Sequence, residues 1–359
     1  MKTFYCDHCG QLIYFENVQC MNCGRMLGYC HDTHKNTSFE IIENGLWSSL
    51  APRSAGKLYK QCRNYSHEDV CNWMIPAETH SDYCLSCSLN QTIPDLHVGD
   101  NRKYWYKLEQ AKRRLIYSIL SLKLPLHNKQ EDAENGLAFE FLEGPGLNQP
   151  ERTPVSIGHN KGLITINVAE ANDAVRVKVR IEMKERYRTL LGHFRHEIGH
   201  YYWYLLVQDG KWLDSCREIF GDDREDYAEA LNRYYTTQSE KGFHSDYISA
   251  YASAHPWEDW AETWAHYMHM YDTLETAYSW KINFNPKLSK YPKKDPANFS
   301  IEESFNEMLE NWTWATGALN SLNRSMGLND PYPFIITPKV NEKLRFIHRV
   351  IHESAKVVA

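Results

Sequence analysis

Leu190-Leu191-Gly192-His193-Phe194-Arg195-His196-Glu197-Ile198-Gly199-His200-Tyr201-Tyr202-Trp203 carries two histidines four residues apart, His196 and His200, with Glu197 between them. On a helix, residues four apart face the same way, because four steps of about 100° nearly close a turn. Both imidazoles can then bind one Zn²⁺, and Glu197 is placed to take a proton from a water that the metal activates. Tyr187, Leu190, Leu191, Phe194, Ile198, Tyr201 and Leu205 keep the spacing of one apolar helix face. No proline interrupts the run, and Asp209-Gly210 is a stop signal. Gly199 inside such a helix costs about 1 kcal/mol relative to alanine. A small residue there lets another segment approach closely. The plain alternative is a surface helix that carries His, Glu and His by coincidence, so the context must decide.

A catalytic zinc takes three protein ligands and keeps one open position. Two acidic stretches follow, Gly221 to Glu229 and Tyr251 to Glu262. The second is the better source. Pro256 suits the first position of a helix, and Trp257, Trp260, Ala261, Trp264 and Met268 form an apolar stripe. The three tryptophans read as core packing. Glu258 and Glu262 are four apart on another side of that helix. One can bind the metal while the other orients a ligand histidine, and spacing does not choose between them. His266 and His269 read as polar-face or supporting residues rather than additional ligands.

A helix with two histidines, then a second helix donating a glutamate, resembles the gluzincin metallopeptidases. The segment from Tyr251 to Glu262 is similar to that of the anthrax lethal factor and Pro-Pro endopeptidase families, in which a tyrosine precedes the glutamate ligand by seven residues, as Tyr251 precedes Glu258. With its cysteine-rich front end, the whole layout resembles the bacterial family of zinc-ribbon, zinc-binding metallopeptidases. The resemblance implies His196, His200 and Glu258 as ligands of one catalytic zinc. It implies Glu197 as general base, Tyr251 as hydroxyl donor to the developing oxyanion, Glu262 as a supporting residue, and hydrolysis of peptide bonds.

Of ten cysteines, nine precede residue 90. Cys6-x-x-Cys9 and Cys20-x-x-Cys23 are the two knuckles of a zinc ribbon, each followed by a glycine, Gly10 and Gly24, that eases the turn around sulfur. Cys62, Cys71, Cys84 and Cys87 form a second, irregularly spaced set of four and a candidate second structural zinc. An exchange of partners between the two sets stays open. Cys30 and Cys216 are left over and read as inert thiols. Cysteines occupy the place of a signal segment after Met1, which favours metal over disulfide and a cytoplasmic location.

The composition, 42% hydrophobic and 24% charged over 359 residues, allows two or three globular units. A net charge of −6 gives no overall basic footprint for nucleic acid, though a ribbon can still contact nucleic acid or protein. No apolar run is long enough to span a membrane. The expected architecture is α+β: a zinc-ribbon module over residues 1–95, then a mostly helical zincin-like metallopeptidase domain over 100–359 with a small sheet. A break between modules is expected near Ser88 to Asn101. Helices are expected over Tyr104 to Leu124, Ile301 to Met326 and Val340 to Ala359, and loops over Leu142 to Leu147 and Lys281 to Ser300. Leu163 to Val168 reads as a strand, either an ordinary sheet member or an edge that adds an extended peptide. The leading function is a zinc-dependent endopeptidase. The alternatives are a zinc-ribbon binding protein with a catalytically silent zincin domain, and a hydrolase of non-peptide amides.

Overall fold

Two short turns of the same construction begin the fold. The Gly10 N–H donates to the Cys6 carbonyl at 2.9 Å, and the Gly24 N–H to the Cys20 carbonyl at 2.8 Å. Both glycines take φ +72°, a left-handed conformation that side chains with a Cβ avoid. The computed structural model describes residues 2–144, 158–182, 188–237, 245–282 and 300–358. The first turn is closed by β1 (Phe4–Tyr5) and β2 (Leu12–Ile13), which pair antiparallel.

A closed five-stranded barrel follows, which the sequence pattern does not announce. It consists of β3 (Met26–Cys30), β4 (Lys35–Ile41), β5 (Trp47–Ser49), β6 (Leu58–Gln61) and β7 (Trp73–Pro76). Parallel pairing of Tyr29 with Trp73 closes it. Cys30, Phe39, Tyr59 and Met74 share its inner face, while Tyr29 and Trp73 point outward and pack with Phe15, which in turn meets Tyr117. A one-turn helix, α1 (Arg63–Ser66), and the cysteines from Cys62 to Cys87 lie at its far end.

The stretch Ser88 to Asn101, where a break between modules is expected, begins with a strand. Its first residues form β8 (Asn90–Thr92), which pairs parallel with β9 (Ala138–Leu142) in a second sheet. The order of that sheet is β10 (Gly158–Asn160), β11 (Leu163–Asn167), β9, β8. An edge strand needs backbone partners on one side only, so a polar sequence such as Asn90-Gln91-Thr92 can form one. β11 is paired on both sides, antiparallel to β10 and parallel to β9. The Leu163 to Val168 strand is therefore an interior member of the sheet, whose edges are β10 and β8.

Against this sheet lie α2 (Asn101–Ser121), which starts three residues before the expected Tyr104, and α4 (Leu190–Leu206). Phe194 of α4 packs on Phe139 and Phe141. The remaining helices are α3 (Asp173–Glu182), α5 (Leu213–Phe220), α6 (Tyr227–Thr237), α7 (Pro256–Ser279), α8 (Ile301–Ser325) and α9 (Pro338–Val358). Pro256 takes the first helical position of α7, and Ser300 with Glu303 forms a reciprocal cap on α8. The fold is α+β, strand-rich at the front and mostly helical behind. No helix among the described residues is long and apolar enough to cross a membrane. Pro145 to Leu147, Ile157, Tyr187 and most of the expected Lys281 to Ser300 crossover lie outside the described residues.

α4 and α7 touch backbone to backbone at Gly199. A Cβ there would lie 3.0 Å from the Ala261 Cα and 3.1 Å from the Trp264 Cβ. The Trp260 indole N–H donates to the Gly199 carbonyl at 2.9 Å, and Trp264 stacks on Tyr202. The contact explains the tolerated glycine. A Gly199→Val variant should lose about 1–3 kcal/mol through overpacking, read as a lower denaturant midpoint. An unchanged midpoint would show that the helices do not meet there.

Candidate active site

α4 brings His196 and His200 onto one side, one turn apart, with ring centroids 4.8 Å apart and Nε2 atoms 3.1 Å apart. α7 crosses so that Glu258, two residues after Pro256, points at them. Its Oε2 lies 3.0 Å from the His196 Nε2 and 3.4 Å from the His200 Nε2. All three side chains are buried, and that Oε2 has no hydrogen-bond partner among the described residues. Burial alone would raise the Glu258 carboxyl, but the two imidazoles hold it well below the usual carboxylate range.

Glu262 meets the other face of the same histidine. Its Oε1 lies 2.8 Å from the His196 Nδ1, and its Oε2 accepts from the Ser249 hydroxyl at 2.5 Å. With Nδ1–H donating to Glu262, the lone pair of His196 is left on Nε2, where Glu258 and His200 converge. The two glutamates that spacing left equivalent are thus separated by the nitrogen each one faces.

Tyr251 begins a short 3-10 turn, Tyr251–Ser253, with its ring 5.9 Å from that of His196. Burial, then the Glu258 carboxylate, keeps its phenol protonated. Trp257, expected in the core, is only half-buried and lies 4.1 Å from His200 between ring centroids, whereas Trp260 and Trp264 are fully buried. His266 is buried and His269 half-buried. His266 Nδ1 lies 2.8 Å from the Tyr332 hydroxyl and His269 Nδ1 2.6 Å from the Arg195 guanidinium, and neither joins the metal-type group.

Three further residues carry no mark in the sequence. The Tyr227 hydroxyl donates to Glu258 Oε1 at 2.6 Å. His193 Nε2 lies 3.1 Å from Glu197 Oε1, and His193 Nδ1 lies 2.8 Å from Glu170 Oε2. The one signal that could have found any of them is the four-residue spacing of His193 and Glu197, which puts them on one helix face. Tyr227 belongs to the acidic stretch Gly221 to Glu229, the weaker of the two candidate sources of a ligand, and Glu170 comes from a segment whose sequence gives no hint of the approach.

The donor sets fit zinc. Donors on a tetrahedral ion with bonds of about 2.0–2.1 Å sit about 3.4 Å apart, close to the 3.0, 3.1 and 3.4 Å found here. Four thiolates on zinc at about 2.3 Å sit about 3.8 Å apart. Cys6 and Cys23 sulfurs are 3.7 Å apart and those of Cys9 and Cys20 3.6 Å. Cys71 lies 3.8 Å from Cys84 and 3.7 Å from Cys87, with Cys62 in the same cluster. The cysteines therefore group as two sets without exchange of partners. Cys30 and Cys216 stay apart from both sets and are buried, and burial pushes the Cys216 thiol up to about 12.

Residues 101–350 match the family described as "Putative zinc-binding metallo-peptidase", and residues 3–98 match a zinc-ribbon domain family. Uncharacterized proteins Rv2568c of Mycobacterium tuberculosis and Mb2598c of Mycobacterium bovis are each 38% identical over 358 residues, covering 99% of this chain and 96% of theirs. No solved structure matches.

The Tyr227 contact can be tested apart from any reaction. Tyr227→Phe should weaken zinc binding at the histidine site by about 10–100-fold, measured by chelator competition, and leave the thiolate sites unchanged. Equal affinity would reduce Tyr227 to a packing residue.

Proposed function

The chain belongs to this family of zinc-binding metallo-peptidases, and on that premise we propose that it is a zinc-dependent endopeptidase with His196, His200 and Glu258 as ligands of the catalytic ion. The convergence of Nε2, Nε2 and a partnerless, buried Glu258 oxygen supports the reading most directly. Zinc held there supplies a Lewis acid that polarises a peptide carbonyl and lowers the pKa of water toward about 7.

The chain's own residues do the rest. Glu197 takes a proton from the attacking water and delivers it to the leaving amine nitrogen. Tyr251, kept protonated by burial, donates to the oxyanion of the tetrahedral intermediate. Glu262 fixes the tautomer and orientation of His196, and Tyr227 holds the second oxygen of Glu258. Cys6, Cys9, Cys20 and Cys23 hold one structural zinc, and Cys62, Cys71, Cys84 and Cys87 a second. Such closed thiolate sites brace a small module and do no hydrolysis. Thiolates held by metal also fit a cytoplasmic protein.

Metal content and turnover decide the matter together. The purified protein should hold three zinc ions per chain, and His196→Ala with His200→Ala should hold two. Glu197→Gln should keep all three while cleavage of a peptide library falls by about 10²–10⁴-fold. Tyr251→Phe should lose about 10²–10³-fold in kcat. Zinc unchanged in the double variant would end the histidine-site reading. Three zinc ions without cleavage by the wild type would favour a silent domain behind a binding module.

A further inference from the structure

The general base in this site is not held by the metal ligands but by a separate pair of residues. We propose that His193 and Glu170 form a positioning pair that clamps Oε1 of Glu197 and leaves its Oε2 aimed at the reacting water. This rests on the peptidase reading, in which Glu197 is the base.

The geometry begins on α4. His193 lies one turn before Glu197, and its Nε2 is 3.1 Å from Glu197 Oε1. The opposite nitrogen, Nδ1, is 2.8 Å from Glu170 Oε2. Glu170 sits in the turn Val168–Ala171 that follows β11, a different element altogether. Its second oxygen lies 3.3 Å from the Arg188 guanidinium. The result is an alternating row of charges, Arg188, Glu170, His193, Glu197, across three segments of the chain.

An ionised carboxylate only accepts hydrogen bonds. A ring with a carboxylate at each nitrogen must donate from both, so His193 is an imidazolium. Burial works against that charge, but the Glu170 carboxylate and the hydrogen bonds that His193 donates to Glu170 and Glu197 outweigh it and lift the ring to about 9. Burial likewise works against the Glu170 carboxylate, and His193, with Arg188, brings it down to about 2.

For Glu197 the clamp acts on geometry. A carboxylate free to turn about its last bond offers either oxygen, and fixing Oε1 removes that freedom. Oε2 is then the oxygen that remains, and it is buried with no partner among the described residues. The proton that Oε2 takes from water is the one it gives to nitrogen, and His193 keeps both of its own throughout.

The test uses the full-length, zinc-loaded protein with ¹⁵N-labelled histidine. At pH 7.5 both ring nitrogens of His193 should carry protons, its signal being identified by its loss in His193→Gln. Glu170→Gln should return the ring to a singly protonated form. In the peptide-library assay His193→Gln should lower kcat by about 10–100-fold with KM and zinc content unchanged, and Glu170→Gln should lower it less. His193→Gln should cost nothing further in the Glu197→Gln background. A neutral His193 in the wild type, or an unchanged kcat in His193→Gln, overturns the proposal. If the wild type cleaves nothing, the peptidase reading fails, and the ring signals still decide whether the pair exists. If His193→Gln does not fold, the response of the signal to Glu170→Gln identifies the ring and decides the question in the same way.

Discussion

Everything at the histidine site depends on how closely α4 and α7 approach. The turns that carry the two histidines and Glu258 belong to different helices, and a carboxylate reaches only a few ångströms from its backbone. At Gly199 there is no side chain between the axes, and Ala261 opposite it is nearly as small. The Trp260 indole, fully buried, spends its one donor on the Gly199 carbonyl. That bond fixes the rotation of α7 about its own axis as well as its distance from α4. With the rotation fixed, Glu258 and Glu262 must come up one on each side of the His196 ring. A larger residue at position 199 would separate the helices and the donor atoms together.

The close approach brings acids into a buried place, which is costly unless each acid finds a partner. The partners are present and come from scattered segments. Ser249 and His196 take the two oxygens of Glu262. Tyr227 takes one oxygen of Glu258. Lys343 of α9 reaches the fully buried Asp259, the neighbour of Glu258, and also donates to the Asp246 carbonyl at 2.6 Å. Asp272, one helix face away, receives Arg195 and the Ser118 hydroxyl, tying α7 to α4 and α2 at once. Oε2 of Glu258, Oε2 of Glu197 and Oδ1 of Asp259 remain without a hydrogen-bond partner among the described residues, that of Glu258 lying beside the two histidines.

What could be read from the sequence was whatever a local period records. The helix around His196 announced itself because a four-residue spacing is the period of a helix. Gly10 and Gly24 announced their turns because few other residues tolerate φ +72°. Both cysteine sets were visible as well, since metal knuckles are short-range. The choice between Glu258 and Glu262 was not visible, because both spacings suit a helix equally and only the crossing of α4 and α7 distinguishes Nε2 from Nδ1. The barrel was hidden by strands of three to seven residues whose burial does not alternate cleanly, as in the buried run from Leu27 to Cys30. β8 was hidden by its polarity. Glu170 and Tyr227 were hidden because their partners lie 23 and 31 residues away in places that only the fold brings near, and His193 carried only its four-residue spacing to Glu197.

The second cysteine set shows why the front of the chain is more than an appendage. Four thiolates around a divalent ion carry a net charge of −2, and all four of these cysteines are buried. A buried dianion needs compensation close by. α2 provides it with Arg113, fully enclosed, whose guanidinium also donates to the Val70 carbonyl next to Cys71. One turn earlier Glu109 comes within 4.0 Å of the Cys87 sulfur and is itself paired with Lys112 and Asn90. The same helix then hands its far end to α7, through Ser118 on Asp272 and Tyr117 on Glu275. A continuous path of charged and hydrogen-bonded contacts thus runs from the cysteines through α2 to the helix that carries Glu258. Loss of a metal held by that cluster would leave four buried thiols beside Arg113 at one end of this path, whose other end is the helix that carries Glu258.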